Sequence, residues 1–340
     1  MSFTRGMLMP LLALFAVAVG FPLCYAAYLS VTDYKLTDRG QPDFVGTANF
    51  TSALSNSAFW EAFATTGGYV LIAVSAELVL GFALALALHQ QRWAKDLSRA
   101  IVLAPMFITP IAVGLIFRFL LNDQIGAVPA LLHAVGADYD FFGAGKALLT
   151  LAFIDVWQWT PFMVLLILAG LESMPKQPME AAKVDGAGPV YRLRRVLIPM
   201  LAPVLTVAVL LRGLDALRVF EYVYATTRGG PGTDTQTLQY YMYLEGIQFF
   251  RLAQASAITG AVVAGLYLGQ ALALAPDIGY AGRGELALAW SVAGLGAIAL
   301  LAAGIVGTVL EAQIALTGQE GSGAPVSGPL LLLGAVVAEA

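Results

Sequence analysis

Residues that could do chemistry are few in this 340-residue chain, and the first group sits in unusual company. Glu77, Arg118, Asp155, Arg212, Asp215 and Arg218 all interrupt long apolar stretches. A charge near the centre of a bilayer costs at least about 2.5 kcal/mol, so such groups turn toward a bundle interior, a partner or a water-filled path. Arg212, Asp215 and Arg218 are spaced three residues apart, which places them on one face of a helix. Two readings of that face stand side by side: the lining of a translocation path, or an ion-pair set that fixes packing. Glu77 has no partner within its own stretch, and a hydrogen bond to a neighbouring helix is the simplest account of it. Arg118 lies close to Asn122 and Asp123 and is expected to snorkel to the membrane surface.

The segment DVWQWTPF, residues 155–162, adds hydrogen-bonding groups and two tryptophans to an apolar run. Pro161 removes a backbone donor, which suits either a pore-lining bend or close packing. An aromatic face beside polar groups is apolar against a sugar ring and polar at its rim. Asp155, Trp157, Gln158, Arg212 and Asp215 are therefore the candidate translocation-path residues. Anchoring at the lipid interface is the competing reading for Trp157 and Trp159.

No catalytic constellation emerges. His89 and His133 fall on opposite sides of the expected membrane and cannot share a metal. The string GAGKA at 143–147 lacks a phosphate loop's spacing, because Asp140 stands where the first glycine is needed and Ala147 where Ser or Thr is needed. Energy for any transport must then come from an ion gradient or from another subunit. The single cysteine, Cys24, excludes an intramolecular disulfide, and a net charge of −4 gives no sign of nucleic acid.

The elements that must position these residues are apolar helices. Only 12% of the residues are charged and the mean hydropathy is +0.78, whereas soluble domains carry about 25% charged residues. Windows near the roughly 20 residues needed to span a bilayer occur at 7–29, 67–88, 100–121, 147–171, 200–220, 252–275 and 286–310. The first exceeds a signal-peptide core in length and reads as a retained span. With the N-terminus inside, Arg5, Arg92, Lys95, Arg99, Lys176, Lys183, Arg192, Arg194, Arg195 and Arg283 are cytoplasmic, and Lys35, Arg39, Lys146, Arg228 and Arg251 are outside. Ten against five follows the rule that cytoplasmic loops collect Lys and Arg.

One cytoplasmic segment, EAAKVDGAGPVYRLRRVLIP at 180–199, is written for water. Pro178 suits a helix's first turn with Glu180 near the positive end of its dipole. Gly186, Gly188 and Pro189 then end that helix, and a second short helix carries Arg192, Arg194 and Arg195 as far as Pro199. The expectation is two short helices with a tight bend, lying along the cytoplasmic face. Small residues flanked by Glu180 and Asp185 leave room for another protein's backbone to approach; a plain polar loop that keeps arginines inside is the alternative.

EAAKVDGA followed by VLIP resembles the EAA signature of type I ABC importer permeases, with Val196, Ile198 and Pro199 filling its Ile-x-Leu-Pro end. FVGTANF at 44–50 and LLRGLDALRVFEYVYATTRGGPG at 210–232 resemble segments of the carbohydrate-uptake branch. The resemblance covers about residues 7–275. It implies an all-α polytopic bundle with six core spans: residues 1–66 as first span and outer loop, and 67–275 as the permease domain. Residues 276–340 depart from the pattern as an atypical extension with one further apolar window.

The same resemblance makes 172–195 the coupling helix for a separate ATPase, through Glu180, Ala181, Ala182, Asp185 and Gly186. It implies two ATPase copies that use the ATP, a second homologous permease, a solute-binding protein outside and a sugar substrate, with no cofactor bound by this chain. The competing classes are an ion-coupled transporter or channel, a permease for a non-sugar solute, and a membrane scaffold.

Overall fold

The computed structural model describes residues 20–35, 37, 42–91 and 94–273, with side chains as far as 263. Most of the 7–29 window, the 286–310 window, the extension from 276 onward and Arg5, Arg39, Arg92 and Arg283 lie outside the described residues. The described chain is helical, with one isolated antiparallel bridge between Thr32 and Phe44. Among the described residues three helices are long and apolar enough to cross a membrane, or four if one bent pair counts as a span.

The described residues divide into two compact units, one within 61–240 and one from the flanking segments 20–60 and 241–273. In the flanking unit, α1 (Phe21–Ser30), α2 (Ala48–Ser55) and α12 (Leu252–Ala273) pack together. FVGTANF has a structural task there. Asn49 Nδ2 donates to the carbonyls of Ser30 at 3.0 Å and Thr32 at 2.6 Å, tying off the end of α1. Gly46 takes a φ of +60°, a conformation that favours glycine. Phe50 lies so close to Gly260 of α12 that a Cβ there would come within 3.1 Å of its ring.

The central unit contains most of α3 (Ser57–Gln90), then α4 (Lys95–Leu103), α5 (Pro110–Leu120), α6 (Ala127–Ala134), α7 (Ala147–Ser173), α8 (Gln177–Val184), α9 (Pro189–Ala216), α10 (Glu221–Ala225) and the first half of α11 (Leu238–Tyr243). At its centre is α7, which is buried along most of its length, while α3 and α9 keep broad apolar faces exposed. Small residues bring helices together: a Cβ at Gly81 would fall 2.5 Å from Met163 Cβ, and one at Gly114 would fall 2.8 Å from Ala225 Cβ. Pro161 lies inside α7 without ending it.

Two spans differ from the sequence expectation. The window 100–121 is not one helix: α4 continues through a 3₁₀ turn at Ala104–Phe107, and α5 leaves at 92° to it. Ile108 and Thr109 are extended at the break, as expected for residues preceding Pro110. The fifth span begins earlier and ends earlier than 200–220. The stretch with the arginines is no separate helix before Pro199; it runs through a π turn at Leu193–Leu197 directly into the membrane helix, and the widened turn just before Pro199 takes up the proline's missing N–H. After Ala216 the chain turns back inward as the buried α10.

Candidate functional site

The three longest spans each contribute a charge to one buried cluster. Helix α3 supplies Glu77, α7 supplies Asp155, and α9 supplies Arg212 and Asp215; Glu77, Asp155 and Arg212 are 0%, 1% and 2% exposed. Arg212 Nη2 donates to Glu77 Oε1 at 3.1 Å and also to Asp155 Oδ2. Arg212 Nη1 donates to Asp215 Oδ2 at 2.9 Å. The Nε of Arg212 lies 2.9 Å from Glu77 Oε2, in ion-pair range but without hydrogen-bond alignment. The far side of Asp215 receives Arg218, from Nη2 at 2.9 Å and Nε at 3.2 Å. The three-residue spacing thus keeps Arg212, Asp215 and Arg218 together. Asp215 and Arg218 form the half-exposed edge of the cluster.

A second set of bonds extends the cluster toward the broken span. Asp155, Gln158 and Trp159 share one face of α7 through their i, i+3, i+4 spacing. Gln158 Nε2 donates to the carbonyl of Ile108 at 2.6 Å, satisfying a backbone acceptor exposed by the break. Tyr222 of α10 donates its hydroxyl hydrogen to Gln158 Oε1 at 2.6 Å and accepts from Trp159 Nε1 at 3.1 Å. The Arg212 guanidinium lies 5.2 Å from the centre of the Trp159 ring, within cation–π range.

Of the five candidate path residues, Asp155, Gln158, Arg212 and Asp215 come together. Trp157 does not: it is 40% exposed and packs edge-on against Phe117 at 5.4 Å. Trp159 is the aromatic residue that joins the polar group. Glu77 also joins it, bonded to Arg212, 135 residues away in the chain. Tyr222 was not singled out from the sequence, and only its polar hydroxyl in an apolar run hinted at it. Arg118 is exposed, and its Nη1 donates to the carbonyl of Ala225 at 3.1 Å, capping the end of α10.

The coupling candidates occupy a different setting. In α8, Pro178 stands in the first turn, Glu180 lies near the N-terminus and Lys183 near the C-terminus, all favourable to the helix dipole. The end is a full Schellman motif. Gly186, with φ +72°, donates to Lys183 O at 3.2 Å, and Ala187 donates to Ala182 O at 2.9 Å. The chain then folds α8 back against the first turns of α9, so the expected helix and bend are present while the second element is the start of the membrane helix rather than a short helix of its own. Glu180, Ala181, Asp185 and Gly186 are exposed and Ala182 partly so, and Val184 is 87% exposed.

The two ends of the central unit are distinguishable by their contacts. Glu172 pairs with Lys95 and Arg99, joining two segments expected on the cytoplasmic side. Gly145 N donates to Asp234 Oδ2 at 3.1 Å, joining two segments expected outside.

Residues 77–317 match the family of binding-protein-dependent transport system inner membrane components. The chain belongs to this family. The match extends past 275 into residues that the sequence reading assigned to an atypical extension. Among relatives of this inner membrane component, a probable ABC transporter permease protein of Sinorhizobium fredii is 35% identical over 253 residues, 74% of this chain and 82% of the relative. The trehalose/maltose transport system permease protein MalF of Thermococcus litoralis is 35% identical over 234 residues, 68% and 79% of the two chains. The trehalose transport system permease protein SugA of Mycobacterium tuberculosis is 33% identical over 253 residues, 74% and 80%.

In fold, this family member is similar to a chain of a bacterial alginate ABC transporter solved in complex with an alginate pentasaccharide-bound periplasmic protein. The TM-score is 0.66 at 21% identity, over 87% of this chain and 92% of that one. The chain is thus a polytopic helical membrane protein and a transport subunit, of the type I importer permease kind.

Proposed function

We propose that this subunit forms, with a second homologous permease, the path by which a sugar enters the cell, and that two copies of a separate ATPase drive it. A solute-binding protein outside delivers the sugar, and the N-terminus lies in the cytoplasm. The observation that carries the ATPase reading is the α8 hairpin. Its carboxylates and small residues are exposed, and its form is held by local bonds, so it can present a fixed shape to a groove in another protein. Closure of the ATPase pair would move α8 and bias a two-state change of access. Glu180, Ala181, Ala182, Asp185 and Gly186 are the docking positions.

For the path, Asp155, Gln158, Arg212 and Asp215 remain the candidates, with Asp215 at the cluster's open edge. Trp157 would contribute only from a separate face. The sugar class is supported by the trehalose and maltose named for two relatives. The test is uptake in proteoliposomes containing the purified complex: ATP and the ATPase should both be required, and uptake driven by a proton or sodium gradient alone would overturn the reading. Screening solutes for stimulation of ATP hydrolysis then identifies the sugar.

A further inference from the structure

Helix α7 holds the broken span at two points. At mid-helix, Gln158 binds the carbonyl of Ile108 at the break. At the end next to α8, Glu172 Oε1 receives both Arg99 and, at 3.4 Å, Lys95 from the first turns of α4. Fourteen residues separate these points, about 21 Å of helix at about 1.5 Å per residue. Between them the 3₁₀ turn and α4 lie against α7. The half-span 95–107 is therefore fastened to α7 at both ends, whereas α5 leaves at 92° beyond the extended residues Ile108 and Thr109. Only Met174, Pro175 and Lys176 separate α7 from α8.

We propose that Glu172 is a positioning residue for transport. It makes the half-span 95–107 follow α7 when α8 is displaced, so that the motion is taken up at Ile108–Thr109 rather than lost between α4 and α7. Glu172 suits this task because one carboxylate engages two cations a helical turn apart on α4, which fixes α4 both along and around its axis. Its half-exposed setting keeps the bridge weak in stability and easy to test. The inference rests on the proposed docking of α8 to an ATPase.

The experiment uses the whole transporter in lipid nanodiscs and proteoliposomes. Glu172→Gln is compared with the charge exchange Glu172→Arg with Arg99→Glu. Uptake per ATP hydrolysed should fall about two- to fivefold in Glu172→Gln, the factor a half-exposed ion pair can carry. The exchanged pair should restore most of it. Spin labels at Ile101 and Val184, in a background lacking Cys24, should report one ATP-independent distance in the parent and a broadened, ATP-dependent one in Glu172→Gln. A Glu172→Gln transporter with unchanged uptake per ATP and an unchanged distance overturns the inference alone. Failure of the parent chain to bind any ATPase subunit overturns both it and the docking reading. Loss of uptake in proportion to loss of assembled complex, with no change per ATP, makes Glu172 merely structural and also overturns it.

Discussion

Two regions of this apolar chain are conspicuously polar, and they handle polarity in opposite ways. Around Arg212 the charges are buried, drawn from three helices, and bonded to one another across 57 and 135 residues of sequence. In the α8 hairpin the charges are local, exposed, and leave Glu180 and Asp185 facing outward. The buried set pairs its charges with one another, as a low-dielectric interior requires. The hairpin leaves its polar groups to water or to another protein. The same composition thus separates a region whose loss should damage the fold from one whose loss should damage assembly.

The sharpest way to break that contrast is Arg212→Met. It leaves Glu77 and Asp155 buried without their cation and should destabilise the subunit by about 3–5 kcal/mol. The loss should appear as aggregation or early thermal unfolding in detergent. Adding Glu77→Gln and Asp155→Asn to that variant should recover much of the loss, because neutral partners no longer need the guanidinium. Next, Gln158→Leu strands the Ile108 carbonyl and removes the acceptor of Tyr222, at a cost of about 1–3 kcal/mol. Thermal unfolding and proteolysis near residues 104–110 would register it.

On the exposed side, Gly186→Val forces a branched side chain into a left-handed conformation at about 1–2 kcal/mol, enough to open the hairpin locally. Co-purification with the ATPase subunit should drop sharply while the unfolding temperature falls by only about 2–8 °C. Smallest in stability is Glu180→Ala, expected within about 0.5 kcal/mol of the parent. Its ATPase capture should nevertheless be lost; undiminished capture would remove Glu180 from the docking surface.

Legibility in the sequence followed the same division. The hairpin was readable because Pro178, Gly186 and Pro189 act on their own backbone and immediate neighbours, and the Schellman bonds close within six residues. Its second helix is less legible, because a proline reads as a stop in the sequence whereas the π turn at Leu193–Leu197 carries the helix past Pro199. For the cluster, the Arg212, Asp215 and Arg218 spacing was informative and the convergence of Glu77 was not. Trp157 and Trp159 looked equivalent as residue types; the 100° step between successive helix positions turns only Trp159 toward Arg212.

By itself, the sequence determined the apolar windows, the lopsided distribution of Lys and Arg, the turn at Gly186 and the close spacing of Arg212, Asp215 and Arg218 at the end of α9. All of these follow from hydropathy, local backbone preference and the helical period. Only the tertiary structure decided that Arg212 binds carboxylates from two other spans, that Arg118 caps α10, and that the third apolar window breaks at Ile108–Thr109. Those outcomes depend on which helices pack side by side and on which buried polar groups must find partners, and neither leaves a mark at short range in the chain.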